Sequence, residues 1–135
     1  MNESGDVKSK ILLVDDDADF VLGIKAVLDG RGYAVRTAND KASGMEKAKA
    51  ESPDLIILDV MMEGRHDGFE MARELKKDSQ CKDTPILLLT SITEAAATDF
   101  RSVAGDPSWM PVDGYLDKTV KPDELIAEVE KLLAG

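Results

Sequence analysis

The sequence predicts a single α/β domain with a parallel sheet covered by helices on both faces. Three observations predict it. Short apolar runs of strand length recur along the chain, helical apolar spacings stand between them, and the apolar runs stop abruptly at polar residues. Strands buried on both faces read as unbroken apolar runs, and parallel neighbours need a crossover long enough to hold a helix. A chain of 135 residues has room for one core of ordinary size and not for a second domain.

Residues 1 to 8 are polar and aperiodic and are expected to form a flexible tail ahead of a folded unit spanning residues 9 to 134. Ile11-Leu12-Leu13-Val14 is the first strand, and it ends in Asp15-Asp16-Asp17. Phe20, Ile24, Val27 and Leu28 fall on one helical face, with Gly30 or Gly32 as the stop. Tyr33 to Thr37 is a second strand, rich in β-branched and aromatic residues. Asn39 and Asp40 are candidate caps for a second helix carrying Ala42, Met45 and Ala48, which Pro53-Asp54 breaks. Leu55-Ile56-Ile57-Leu58 is the third strand and stops at Asp59. Gly64 to Gly68 reads as a loop, Phe69 to Lys77 as a helix, and Pro85 to Leu89 as a fourth strand stopping at Thr90. Thr93 to Val103 carries the spacing of a fourth helix through Ala96, Phe100 and Val103, and Ala104 to Asp113, with two prolines, is a loop. Gly114 to Asp117 is the last strand. Pro122 suits a first helical position, and Leu125, Val129, Leu132 and Leu133 form the buried stripe of the fifth helix.

Composition narrows the function. The 27 Asp and Glu against 17 Lys and Arg give a net charge of −10, mixed along the chain, which offers no basic patch for nucleic acid. An apolar fraction of 43% excludes global disorder. No apolar run approaches the roughly 18 residues of a membrane span, and the first ten residues lack the apolar centre of a secretory signal. A cytoplasmic protein without a membrane segment is expected. Cys81, the single cysteine, has no partner for an internal disulfide.

The chemistry gathers where the strands end. Asp15 and Asp16 follow the first strand, Asp59 the third, Thr90 the fourth, and Lys118 lies just past the fifth. In a parallel sheet these carboxyl ends share one edge, where ligands of open α/β sheets bind. Three converging carboxylates repel one another unless a cation sits among them, and hard oxygen donors suit magnesium better than zinc. An added lysine and hydroxyl would hold an anion brought to that metal, as phosphoryl transfer requires. Asp17 and Asp19 read as helix-capping residues, His66 as a solvated loop residue, Met61-Met62 as loop packing and Lys121 as a surface charge.

With these residues in place the sequence resembles the receiver domains of bacterial two-component response regulators, over roughly residues 9 to 134. The motifs are KILLVDDDADF at the first strand, PDLIILDVMM around Asp59, PILLLTS at Thr90, and GYLDK ahead of KPDELI. The resemblance implies a flavodoxin-like, doubly wound five-stranded sheet of order 2-1-3-4-5 with five helices. It implies that Asp59 is the phosphoacceptor, Asp15 and Asp16 the acidic pair for Mg2+, Asp16 directly and Asp15 mainly through water. Asp59 and the backbone carbonyl of Met61 complete the metal set. Thr90 is then the switch hydroxyl, Tyr115 the switch aromatic and Lys118 the phosphate-contacting lysine. Three places depart from the family's pattern: Thr119 follows Lys118 where proline is usual, the loop MMEGRHDGF carries Glu63 for a proline and one extra residue, and 27 residues separate Thr90 from Lys118.

The expected activity is acceptance of a phosphoryl group on Asp59 from a sensor histidine kinase or a histidine phosphotransfer protein, with turnover limited to the chain's own phosphorylation and dephosphorylation. The output is binding to a separate protein or to a second copy of the chain. Two other readings stand beside it. One is a receiver-like interaction module that is never phosphorylated, and the other is a haloacid-dehalogenase-like phosphotransferase using Asp15. Trp109, the only tryptophan, lies in the 104 to 113 loop and is expected either to fold back on Phe100 or Val103 or to anchor a partner.

Overall fold

The computed structural model describes residues 9–59, 67–90, 113–118 and 120–134. The expected helix over 93 to 103, loop residues 104 to 112 with Trp109, and Met61, Met62, Glu63, His66, Thr119 and the tail 1 to 8 lie outside the described residues. So do the side chains of Thr90 and Tyr115. In chain order the elements are β1 (Lys10–Val14), α1 (Ala18–Gly30), β2 (Ala34–Ala38), α2 (Lys41–Glu51), β3 (Leu55–Asp59), α3 (Asp67–Lys77), β4 (Ile86–Thr90), β5 (Gly114–Asp117) and α4 (Pro122–Ala134). The five strands form one parallel sheet of order β2-β1-β3-β4-β5.

Side chains alternate across this sheet, and each parity has its own helices. Leu12, Val14, Ile56, Leu58, Ile86 and Leu88 pack with Ala48 of α2 and Met71, Ala72 and Leu75 of α3. Ile11, Leu13, Leu55, Ile57, Leu87 and Leu89 pack with Leu28 of α1 and Leu125, Ile126 and Val129 of α4. The central strands are therefore apolar between their ends because both their faces are covered.

Local chemistry sets the ends. Asp17 caps α1, its side chain accepting a hydrogen bond from the Phe20 backbone N–H, and Gly32, at φ 89°, turns the chain into β2. Tyr33, read as the first residue of β2, instead donates its N–H to the Leu28 carbonyl and closes α1, so β2 begins at Ala34. Asp40 rather than Asn39 caps α2, accepting from the Ser43 N–H and hydroxyl. On α2 the expected stripe shifts: Ala42 is exposed and Gly44 is buried. A Cβ at Gly44 would stand 2.8 Å from Met71 Cε and 3.0 Å from Val14 Cγ1, so glycine lets α2 approach this closely without displacing the Met71 side chain. α3 starts two residues earlier than its apolar pattern suggested, at Asp67, and Ile126 joins the buried stripe of α4.

Candidate functional site

The register aligns the carboxyl ends of the strands. Val14 pairs with Ala38 and with Leu58, Asp59 with Leu89, and Thr90 with Asp117. Strand order reverses direction between β1 and β3, and the crevice there opens on this edge. Asp15 leaves β1 still tied to it, since its N–H donates to the Ala38 carbonyl at 3.1 Å. Asp59 is the last residue of β3. Asp15 continues the parity of Ile11 and Leu13, Asp59 that of Leu55 and Ile57, and Lys118 that of Leu116, so all three belong to the face covered by α1 and α4.

Three sequence-predicted carboxylates meet. Asp15, Asp16 and Asp59 each offer an oxygen within 4.8 Å of the others, Asp15 and Asp59 buried and Asp16 exposed. Lys118 joins them, with its Nζ 3.0 Å from Asp15 Oδ2 and 3.2 Å from Asp59 Oδ1. The ammonium is a shared counter-charge for these two oxygens. The other Asp15 oxygen accepts from the Asp17 N–H at 2.9 Å. Burial raises the Asp15 carboxyl above its ordinary value, a push that the Asp17 N–H and Lys118 only partly oppose. For Lys118 burial works toward a lower value, but the charges of Asp15 and Asp59 outweigh it, and the ammonium is held more firmly than usual.

The donor set fits a divalent cation. Three carboxylate oxygens on a partly open edge, two of them buried and facing one lysine, are hard ligands with excess negative charge. Thr90 stands at the end of β4, paired with Asp117, and Tyr115 stands two pairs back on the neighbouring edge strand β5, opposite Leu88. Met61 lies outside the described residues.

Sequence reading missed one neighbour of the site. Phe20 counted only as the first apolar residue of α1, yet the Lys118 Nζ lies 4.9 Å from its ring centroid. The signal was an aromatic residue in the first turn of the helix that follows the acidic pair.

Comparison with known proteins agrees with this architecture. A family model described as the response regulator receiver domain matches residues 11–130. The chain is 36% identical over 127 residues to the alkaline phosphatase synthesis transcriptional regulatory protein PhoP of Bacillus subtilis, covering 94% of this chain and 49% of that protein. It is 28% identical over 130 residues to the protein PilH of Pseudomonas aeruginosa, covering 94% of this chain and 99% of PilH. The chain thus spans about half the length of some curated relatives and nearly all of another. Among solved structures, the chemotaxis response regulator CheY4 of Vibrio cholerae superposes with a TM-score of 0.79 at 30% identity, covering 93% of this chain and 99% of that one. A putative response regulator from Chloroflexus aurantiacus gives a TM-score of 0.83 at 28% identity, covering 96% and 100%. With one family matched from the first strand into the last helix, the chain belongs to the response regulator receiver domain family.

Proposed function

We propose that residues 9 to 134 form a phosphoryl-accepting receiver unit in which Asp59 is the acceptor, supplied by a phosphohistidine on a sensor histidine kinase or a histidine phosphotransfer protein. The observation that carries this reading is the buried Asp59 carboxylate at the end of β3, with two further carboxylates within 4.8 Å and a lysine ammonium at 3.2 Å. In the step, an Asp59 oxygen attacks phosphorus in line as the phosphorus–nitrogen bond of the donor breaks, and the electron pair returns to the imidazole. Lys118, already beside Asp59, holds charge on the phosphoryl oxygens. Magnesium, which Asp15, Asp16, Asp59 and the Met61 carbonyl would hold, supplies further positive charge for those oxygens.

Thr90 and Tyr115 serve as the switch in this reading. The Thr90 hydroxyl contacts the new phosphoryl oxygens, Tyr115 turns inward, and the surface they border changes its affinity for an output protein or a second copy of the chain.

Intact mass after incubation with acetyl phosphate and magnesium tests the proposal. One phosphoryl group is expected on the native chain, none on Asp59→Asn, and none when the metal is chelated. Equal labelling of Asp59→Asn would overturn it, and labelling at Asp15 would favour the phosphotransferase reading.

A further inference from the structure

The Lys118 ammonium is shared between two acceptors on different strands, Asp15 Oδ2 at 3.0 Å after β1 and Asp59 Oδ1 at 3.2 Å on β3. Its side chain remains 21% exposed, so part of it borders solvent. The Phe20 ring lies beneath it, with its centroid 4.9 Å from Nζ. Phe20 is itself fixed twice: its backbone N–H donates to Asp17 at the start of α1, and its ring packs with the apolar cluster of the α1 and α4 face. The packing of α1 thus brings the ring to the same face of the sheet as Asp15, Asp59 and Lys118.

We propose that Phe20 is a positioning residue for phosphoryl transfer, its ring face holding the Lys118 ammonium between Asp15 and Asp59; this rests on Asp59 being the acceptor. The choice of an aromatic ring has a physical reason. A hydrogen-bond acceptor in this place would fix one N–H in one direction, whereas a ring face attracts the charge without dictating where its three donors point. The ammonium can then turn from the two carboxylates toward oxygens arriving on Asp59 while keeping the same support. The partial exclusion of water strengthens this attraction relative to a fully exposed pair.

The test follows phosphoryl uptake from acetyl phosphate with magnesium by intact mass against time, with folding checked by thermal melting. Phe20→Leu keeps an apolar side chain and loses the ring, and is expected to slow uptake about threefold to tenfold. Phe20→Tyr keeps the ring and is expected to restore most of the native rate. In a Lys118→Met background, Phe20→Leu is expected to cause no further slowing, because there is no ammonium left to hold. If Phe20→Leu fails to fold, Phe20→Met takes its place under the same expectations. A native rate in Phe20→Leu, equal loss in Phe20→Tyr, or the same loss with Lys118 already removed each overturns the proposal. A native chain that takes up nothing at Asp59 removes the acceptor reading and this one together, whereas native uptake with any of those three results removes only the role of Phe20.

Discussion

The two edges of the sheet carry the same residue types and use them in opposite ways. At the amino edge, Asp54 Oδ2 accepts from the Lys10 backbone N–H at 2.8 Å, and Asp113 Oδ2 accepts from the Ile86 N–H at 2.8 Å and from Lys76 Nζ at 3.0 Å. At the carboxyl edge, Asp15 and Asp59 are buried and share Lys118. The polarity of a parallel strand explains the difference. Its amino end presents N–H groups, which a carboxylate satisfies; its carboxyl end presents carbonyls, which a carboxylate cannot. The buried carboxylates at the carboxyl edge therefore lean on a cation, as Asp15 and Asp59 do on Lys118, whereas the amino edge is closed by its own N–H groups.

The largest expected effect separates the two lysines. Without divalent metal at neutral pH, Lys118→Met leaves two carboxylates facing each other and should cost about 2–3 kcal/mol in chemical denaturation, less than a wholly buried pair because the ammonium is partly exposed. Lys76→Met, whose partner Asp113 is well exposed and keeps the Ile86 N–H, should cost under about 1 kcal/mol. Equal costs would break the comparison.

A metal titration sharpens it. Magnesium at about 100 times its dissociation constant should add about 2.7 kcal/mol if only the folded state binds it. Asp16→Asn should raise stability without metal by relieving repulsion and should shrink the magnesium response, while Asp54→Asn should leave that response unchanged. A melting temperature indifferent to millimolar magnesium in the native chain would contradict the cation requirement of the carboxyl edge.

The smallest effect concerns Asp40, which follows β2 at the carboxyl edge yet behaves like an amino-edge carboxylate, because a helix start offers it N–H groups. The Ser43 N–H and hydroxyl hold its carboxyl below the ordinary value. A depressed folded value means that the stabilisation is complete above the ordinary carboxylate range and is lost as pH falls through Asp40's own lower value. The stability gap between the native chain and Asp40→Ala should be flat near neutrality and close in acid. A gap that widens in acid would show that the capping charge is not what stabilises α2.

What could be read from residues alone follows the same physics. Apolar runs marked β1, β3 and β4 because full burial leaves no other pattern, β2 showed instead through β-branched and aromatic residues, and Asp15, Asp16, Asp59 and Lys118 announced the site by standing where strands stop. The errors fall where a backbone group or an absent side chain decides. Tyr33 has strand chemistry, but its N–H is used by α1. Gly44 carries no apolar signal, yet close approach to Met71 and Val14 puts it rather than Ala42 in the core. Phe20 looked like ordinary core because a helical pattern shows which face a residue occupies and not which cation rests on it.

The alternation that places Asp15, Asp59 and Lys118 on one face also acts as a reading frame. Removing one residue from within β1 or β3 would carry its terminal aspartate to the opposite face, beneath α2 and α3, and out of reach of its partners. Residues added after the strands leave the frame intact. The extra length after Asp59 and between Thr90 and Lys118 falls outside β3 and β4 and ahead of β5. Length in this molecule is therefore negotiable between the strands and forbidden within them, because only a change inside a strand alters the face on which its carboxyl end emerges.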